Sequence, residues 1–198
     1  MASDYVWRGQ TQSEHQSSTQ VGMEVNHGKI SAGAWAATLG TDSAAEVDLY
    51  LNFKQQISQS DYFLNFSITD YTYTQTTNLN TIEYAVKLES PYGSLLIGQT
   101  PDYFGTESSS TYVNYSHGLK LTESGTSLNF SVGNTQYGDK DKFTVNENGY
   151  TDYKVSIVKE KDNISIEMFY TDTDLDDNTA PAEKLDDAVV GGSITISL

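Results

Sequence analysis

The sequence predicts an all-β fold: a closed antiparallel transmembrane β-barrel of about twelve strands, formed as a single domain over residues 1–198. Three observations predict it. Short stretches alternate apolar and polar residues, so each strand presents one oily and one charged face. The segments joining them are alternately short and long, as in outer-membrane barrels with short periplasmic turns and longer external loops, whereas sandwich connections carry no such alternation. Helix signals are weak, because Gly, Ser, Thr, Asn and Tyr are abundant and no amphipathic helical stripe of useful length occurs.

Taken in order, the predicted strands are 3–10, 19–26, 30–39, 47–55, 61–71, 81–89, 93–101, 112–121, 126–136, 150–159, 163–171 and 189–198. In the first, Asp4, Arg8 and Gln10 share one parity, opposite Tyr5 and Trp7. The second sets Glu24 against Val21, Met23 and Val25, which point outward. The third follows the turn His27-Gly28-Lys29, and in the fourth Val47, Leu49, Leu51 and Phe53 alternate with Asp48, Asn52 and Lys54. From the fifth strand to the eleventh, Asn65, Glu83, Lys87, Asn114, Lys120, Asn129, Asp152, Lys154 and Glu167 lie opposite Leu64, Ile82, Tyr84, Val86, Leu119, Phe130, Val155 and Ile166. The last strand alternates through Ile194-Thr195-Ile196-Ser197 and ends on Leu198, where outer-membrane strands usually end on an aromatic residue. Connections at one end run roughly three to five residues, and those at the other roughly seven to seventeen.

Composition narrows the function. Mean hydropathy is negative and no run approaches the roughly eighteen apolar residues of a spanning helix, a test that barrel strands escape because only alternate residues meet lipid. There is no cysteine, so disulfides and thiolate metal sites are excluded. Eleven basic against 27 acidic residues, a formal charge of -16, argue against a nucleic-acid partner. No signal peptide precedes Asp4-Tyr5-Val6-Trp7, as expected of a mature sequence with a start methionine added.

On the barrel reading the polar face becomes a lumen. Its candidate pore-lining residues are Asp4, Arg8, Glu24, Asp48, Asn52, Lys54, Glu83, Lys87, Lys120, Asp152, Lys154 and Glu167. Arg8, the only arginine, either clamps an anionic solute through its planar fork or bridges to Glu24, Asp48 or another wall carboxylate. The lysines have the same two options, since a modest barrel is partly filled by its own side chains. Tyr62, Tyr71, Tyr92, Tyr103, Phe104, Tyr112, Tyr137, Tyr150 and Tyr170 fall near strand ends, as membrane-interface girdles do.

In the longest connection Asp172, Asp174, Asp176 and Glu183 match positions one, three, five and twelve of a calcium loop. Asp177 replaces the turn glycine and Pro181 stiffens the second half, so loosely collected divalent cations compete with a specific site. His15, His27 and His117 have no metal-ligand spacing, and no nucleophile elbow, phosphate loop, catalytic metal motif or cofactor motif occurs.

The stretch Ser3-Asp4-Tyr5-Val6-Trp7-Arg8-Gly9-Gln10-Thr11-Gln12-Ser13, with Gln20-Val21-Gly22-Met23-Glu24-Val25 and Gly33-Ala34-Trp35-Ala36, resembles the TorF-type porins of proteobacterial outer membranes. The likeness continues at Glu46-Val47-Asp48-Leu49-Tyr50, Ser90-Pro91-Tyr92 and Pro101-Asp102-Tyr103-Phe104-Gly105. It implies an outer-membrane barrel of porin type and brings no catalytic residues. The expected function is a passive channel for small hydrophilic solutes with a weak cation preference, in contact with outer-membrane lipid. The other readings are a closed structural or adhesive barrel binding a partner through its loops, and a membrane-embedded hydrolase.

Overall fold

The computed structural model describes residues 1–40, 44–139, 141, 148–175 and 187–198. The chain begins with a small hairpin, β1 (Val6–Trp7) and β2 (Gln10–Thr11). Eleven longer strands follow: β3 (Gln20–His27), β4 (Ile30–Leu39), β5 (Ala44–Gln56), β6 (Phe63–Tyr73), β7 (Thr81–Ser90), β8 (Gly93–Thr100), β9 (Ser110–Thr122), β10 (Thr126–Tyr137), β11 (Gly149–Lys161), β12 (Ile164–Thr173) and β13 (Val189–Ile196). They form one antiparallel sheet in which every strand pairs with its sequence neighbours, from β3 at one edge to β13 at the other. Single 3-10 turns at Thr77–Leu79 and Tyr103–Gly105 interrupt two of the connections at the long-loop end.

The burial of this sheet is inverted relative to a water-soluble protein. Val21, Met23, Leu51, Phe66, Ile97, Val132, Ile157, Ile166 and Val190 stand exposed on one face. The alternate residues, among them Glu46, Asp48, Glu83, Thr135, Asp152 and Thr171, are buried on the other. Period-two patterning places them so, and the register keeps like with like: Leu49 sits across from Ala34, and Asp48 from Trp35 and Tyr71. A polar face becomes the buried one when a sheet curls around it.

The two edges of the sheet are tied by residues 1–3. The Ala2 amide donates to the Ser18 carbonyl, and the Ser18 amide donates back to Ala2, both at 2.9 Å. On the other side the Ser3 amide donates to the Gly192 carbonyl at 2.8 Å, and the Ile194 amide to the Met1 carbonyl at 2.9 Å.

The predicted strand 3–10 is not a wall strand, so the sheet has eleven strands rather than twelve. The reason is local. Asp4 accepts hydrogen bonds from Thr11 Oγ1 at 2.6 Å and Ser13 Oγ at 2.9 Å, folding the chain back on itself. Arg8 and Gly9 then reverse direction at φ values of 49° and 81°. Positive φ at both central positions is the type I′ turn, whose twist suits a two-residue hairpin. Elsewhere the boundaries differ by a few residues, and β5 begins at Ala44 instead of 47.

Candidate functional site

The hairpin is the residue source of the site. It touches β5 through Tyr5, whose hydroxyl donates to Glu46 Oε1 at 3.0 Å, and β4 through an edge contact of Tyr5 with Trp35 at 5.2 Å. Arg8 reaches β7, where its Nη2 donates to Glu83, and β9, where its guanidinium carbon lies 3.8 Å from the Tyr112 ring centroid. A Cβ on Gly9 would lie 2.4 Å from Thr173 Cγ2 of β12 and 3.0 Å from Asp152 Cβ of β11, so only glycine fits at the tip. One hairpin therefore meets strands from β4 to β12, which requires the sheet to wrap around it.

An aromatic box surrounds the tip. The Trp7 ring centroid lies 4.0 Å from the Arg8 guanidinium carbon, and the ring packs against Phe104 at 5.4 Å and against Tyr71 and Tyr103 at 6.3 Å. Tyr103 in turn meets Tyr137 at 5.7 Å. The loop carrying Tyr103 and Phe104 is pressed onto its neighbour: a Cβ on Gly105, at φ 67°, would collide with the Asn78 carbonyl. Tyr112 donates to Asp152 Oδ1 at 3.2 Å, and Thr100 Oγ1 to Glu83 at 3.4 Å. Burial opposes the charge on Arg8, and the Glu83 carboxylate together with Tyr103 and Tyr150 outweighs it, so the guanidinium stays protonated.

The turn half of the interior is different. A cavity of about 530 Å³ there is lined by Lys87, Glu89, Ser94, Asn129, Lys154 and Glu167. Lys54 pairs with Glu89 at 2.5 Å, Lys87 with Glu89 at 3.6 Å and Lys154 with Glu167 at 2.9 Å. The interior is thus polarised along its axis, with Glu46, Asp48, Glu83 and Asp152 toward the long loops and the three lysines toward the turns.

Of the predicted pore-lining residues, Arg8, Glu83 and Asp152 gather at the hairpin tip, with Asp48 near Tyr5, while Lys54, Lys87, Lys154 and Glu167 gather in the turn half. Asp4 is buried within the hairpin, beside His15 Nδ1 at 3.1 Å. Glu24 contacts Tyr50, and Asn52 donates to Ser31 Oγ at 3.1 Å. Lys120 does not join them; near the exposed end of β9 it pairs with Glu123 of the following turn at 2.6 Å. Tyr5 and Trp7, expected to point outward, pack inside. Tyr71, Tyr103, Tyr112 and Tyr150 also belong to the interior rather than to an interface girdle: Tyr71 and Tyr103 pack against Trp7, Tyr150 against Tyr137, and Tyr112 lies under Arg8 and donates to Asp152.

Asp172 accepts from the Tyr170 hydroxyl at 2.7 Å, and Asp174 from the Thr151 amide at 2.5 Å. Asp176, Asp177 and Glu183 lie outside the described residues, and among the described residues no three His, Asp or Glu are placed to hold a metal. Glu46, Glu89 and Trp7 were missed as site residues. Glu46 carries the parity of Asp48 but lies before residue 47, where the predicted strand begins, three residues after the observed start at Ala44.

An all-β sheet with an apolar exterior and a polar, buried interior defines a porin-like β-barrel. The chain belongs to a family described as bacterial proteins of unknown function (Gcw_chp), whose model matches residues 1–195. No curated protein sequence matches it. Among solved structures, the fold is similar to that of the NanC porin, with a TM-score of 0.68 and 9% identity over 91% of this chain and 93% of that one.

Proposed function

We propose that the protein is a closed outer-membrane barrel acting as a porin-type channel for small hydrophilic solutes. The inverted burial carries this reading: lipid takes up the exposed apolar face, and a polar interior serves as a water-filled path. Closure by residues 1–3 satisfies backbone groups that lipid cannot, and accounts for the twelfth wall position by a short segment instead of a full strand. The NanC fold and the TorF-type motifs support the same class.

The hairpin narrows the long-loop end, so conduction is low. Where they are ionised, the buried carboxylates at that narrow point outnumber Arg8, which favours cations weakly. Single-channel recording after reconstitution into planar bilayers tests the proposal, with small, ion-permeable openings as the expected result. Absence of any conductance, with the chain shown to be folded and inserted, would favour the second reading, a closed barrel that binds an external partner. The packed hairpin is the observation that favours that alternative.

A further inference from the structure

Arg8 is lodged in surroundings that would suit a free cation. One face of its guanidinium covers the Tyr112 ring at 3.8 Å, its Nη2 donates to Glu83, and the Asp152 carboxylate lies close by, bound to the Tyr112 hydroxyl. The side chains of Arg8 and Glu83 are 6% and 10% exposed. Aromatic faces flanked by carboxylates are the general chemistry for binding guanidinium and ammonium groups.

The way Arg8 is presented differs from that of a wall residue. It sits at φ 49° on a two-residue turn, a backbone region that non-glycine residues seldom adopt and that the surroundings must enforce. The hairpin's ladder is its own, a two-stranded sheet separate from the eleven-stranded one. Its anchors to the wall are side chains, chiefly Arg8 itself, Trp7 and Tyr5.

We propose that the chamber formed by Tyr112, Glu83 and Asp152 is a binding site for guanidinium or primary-ammonium solutes, and that Arg8 is its built-in, displaceable occupant. The proposal rests on the channel reading, because a solute must reach the chamber through the interior. A solute bearing such a group competes with Arg8 for Glu83 and Tyr112, releases the hairpin tip, and thereby opens the narrow end to its own class.

The test uses the full chain with Arg8→Ala, folded in detergent and titrated with methylguanidinium chloride at constant ionic strength against sodium chloride. The unfolding midpoint reads binding, and bilayer conductance is recorded separately. Methylguanidinium should raise the midpoint of Arg8→Ala saturably, and should act on the wild-type protein, where it must displace Arg8, only at concentrations about tenfold higher or more, with wild-type conductance rising over that same range. Adding Glu83→Gln should weaken that response about tenfold or more, since a charge-assisted hydrogen bond is lost.

Arg8→Gln serves the same purpose if the alanine variant does not fold. A response absent from both variants, or equal with and without Glu83→Gln, overturns the site. Binding in protein that never conducts upholds the site and removes the channel reading, whereas conduction without a methylguanidinium response does the reverse.

Discussion

Arg8 draws together what would otherwise be isolated interior groups. Its charge is surrounded by Glu83, Trp7 and Tyr112, and it has no bulk water to fall back on. Removing one partner of a buried pair leaves the other uncompensated. Arg8→Ala should therefore destabilise the protein by about 3–5 kcal/mol, toward the lower figure where the interior is hydrated. Urea unfolding followed by circular dichroism measures this, and Arg8→Ala with Glu83→Gln should recover part of the loss. The inward parity of Arg8, Asp48 and Asp152 was legible in the sequence, because alternation alone sets it. The partner was not: Glu83 is 75 residues away, and a period-two pattern carries no information about which strand lies across an enclosed interior. Trp7 and Tyr5 were misplaced for a related reason, since parity has meaning only while the strand continues, and theirs ends at Arg8.

At the scale of elements, eleven of the predicted strands correspond to β3 through β13, their positions set by alternation and by turns such as Pro91-Tyr92. The first predicted strand failed because its opening residues have the right alternation and the wrong chemistry. Arg8-Gly9 is not among the dipeptides that usually announce a hairpin, and the Asp4, Thr11 and Ser13 bonds that fold the segment join residues seven and nine apart. Because the wall ladder runs without the hairpin, replacing residues 5–12 with a flexible Gly-Ser linker should keep the wall paired, at a stability cost at least that of Arg8→Ala, and raise its single-channel conductance severalfold. A variant with unchanged conductance would show that the narrowest point lies among the turn-half lysines instead. Gly9→Val should act in the same direction, since its side chain would strike Thr173 and its φ of 81° suits glycine.

For the whole molecule, the exposed apolar band is the surface that sets its environment. Leu51 and Asn52 are neighbours on β5 that face opposite ways, Leu51 outward at 50% exposure and Asn52 inward toward Ser31. Leu51→Arg should cost about 2–4 kcal/mol in lipid if it lies near the bilayer midplane, while Asn52→Arg faces a polar interior and should cost far less. Equilibrium folding into lipid vesicles compares the two. Equal costs would mean that the outer face does not meet lipid at that height.

Selectivity is also a property of the whole charge distribution, and here two sources of negative charge make separable predictions. The long connection 172–187 is rich in carboxylates, which act on a permeating ion through water and are screened over about 8 Å at physiological ionic strength. Asp48 and Asp152 are buried at 8% and 4% exposure beside the narrow point, where screening is weaker. Neutralising the loop should reduce cation preference at low salt and change little at high salt. In recordings made at a pH high enough to ionise both buried carboxylates, Asp48→Asn with Asp152→Asn should reduce it at both, and the lysines of the turn half then tilt the channel toward anions. Reversal potentials across a salt gradient, measured for both variants at two ionic strengths, distinguish the contributions. Cation preference that survives the interior pair but not the loop would place the selectivity step at the mouth of the barrel.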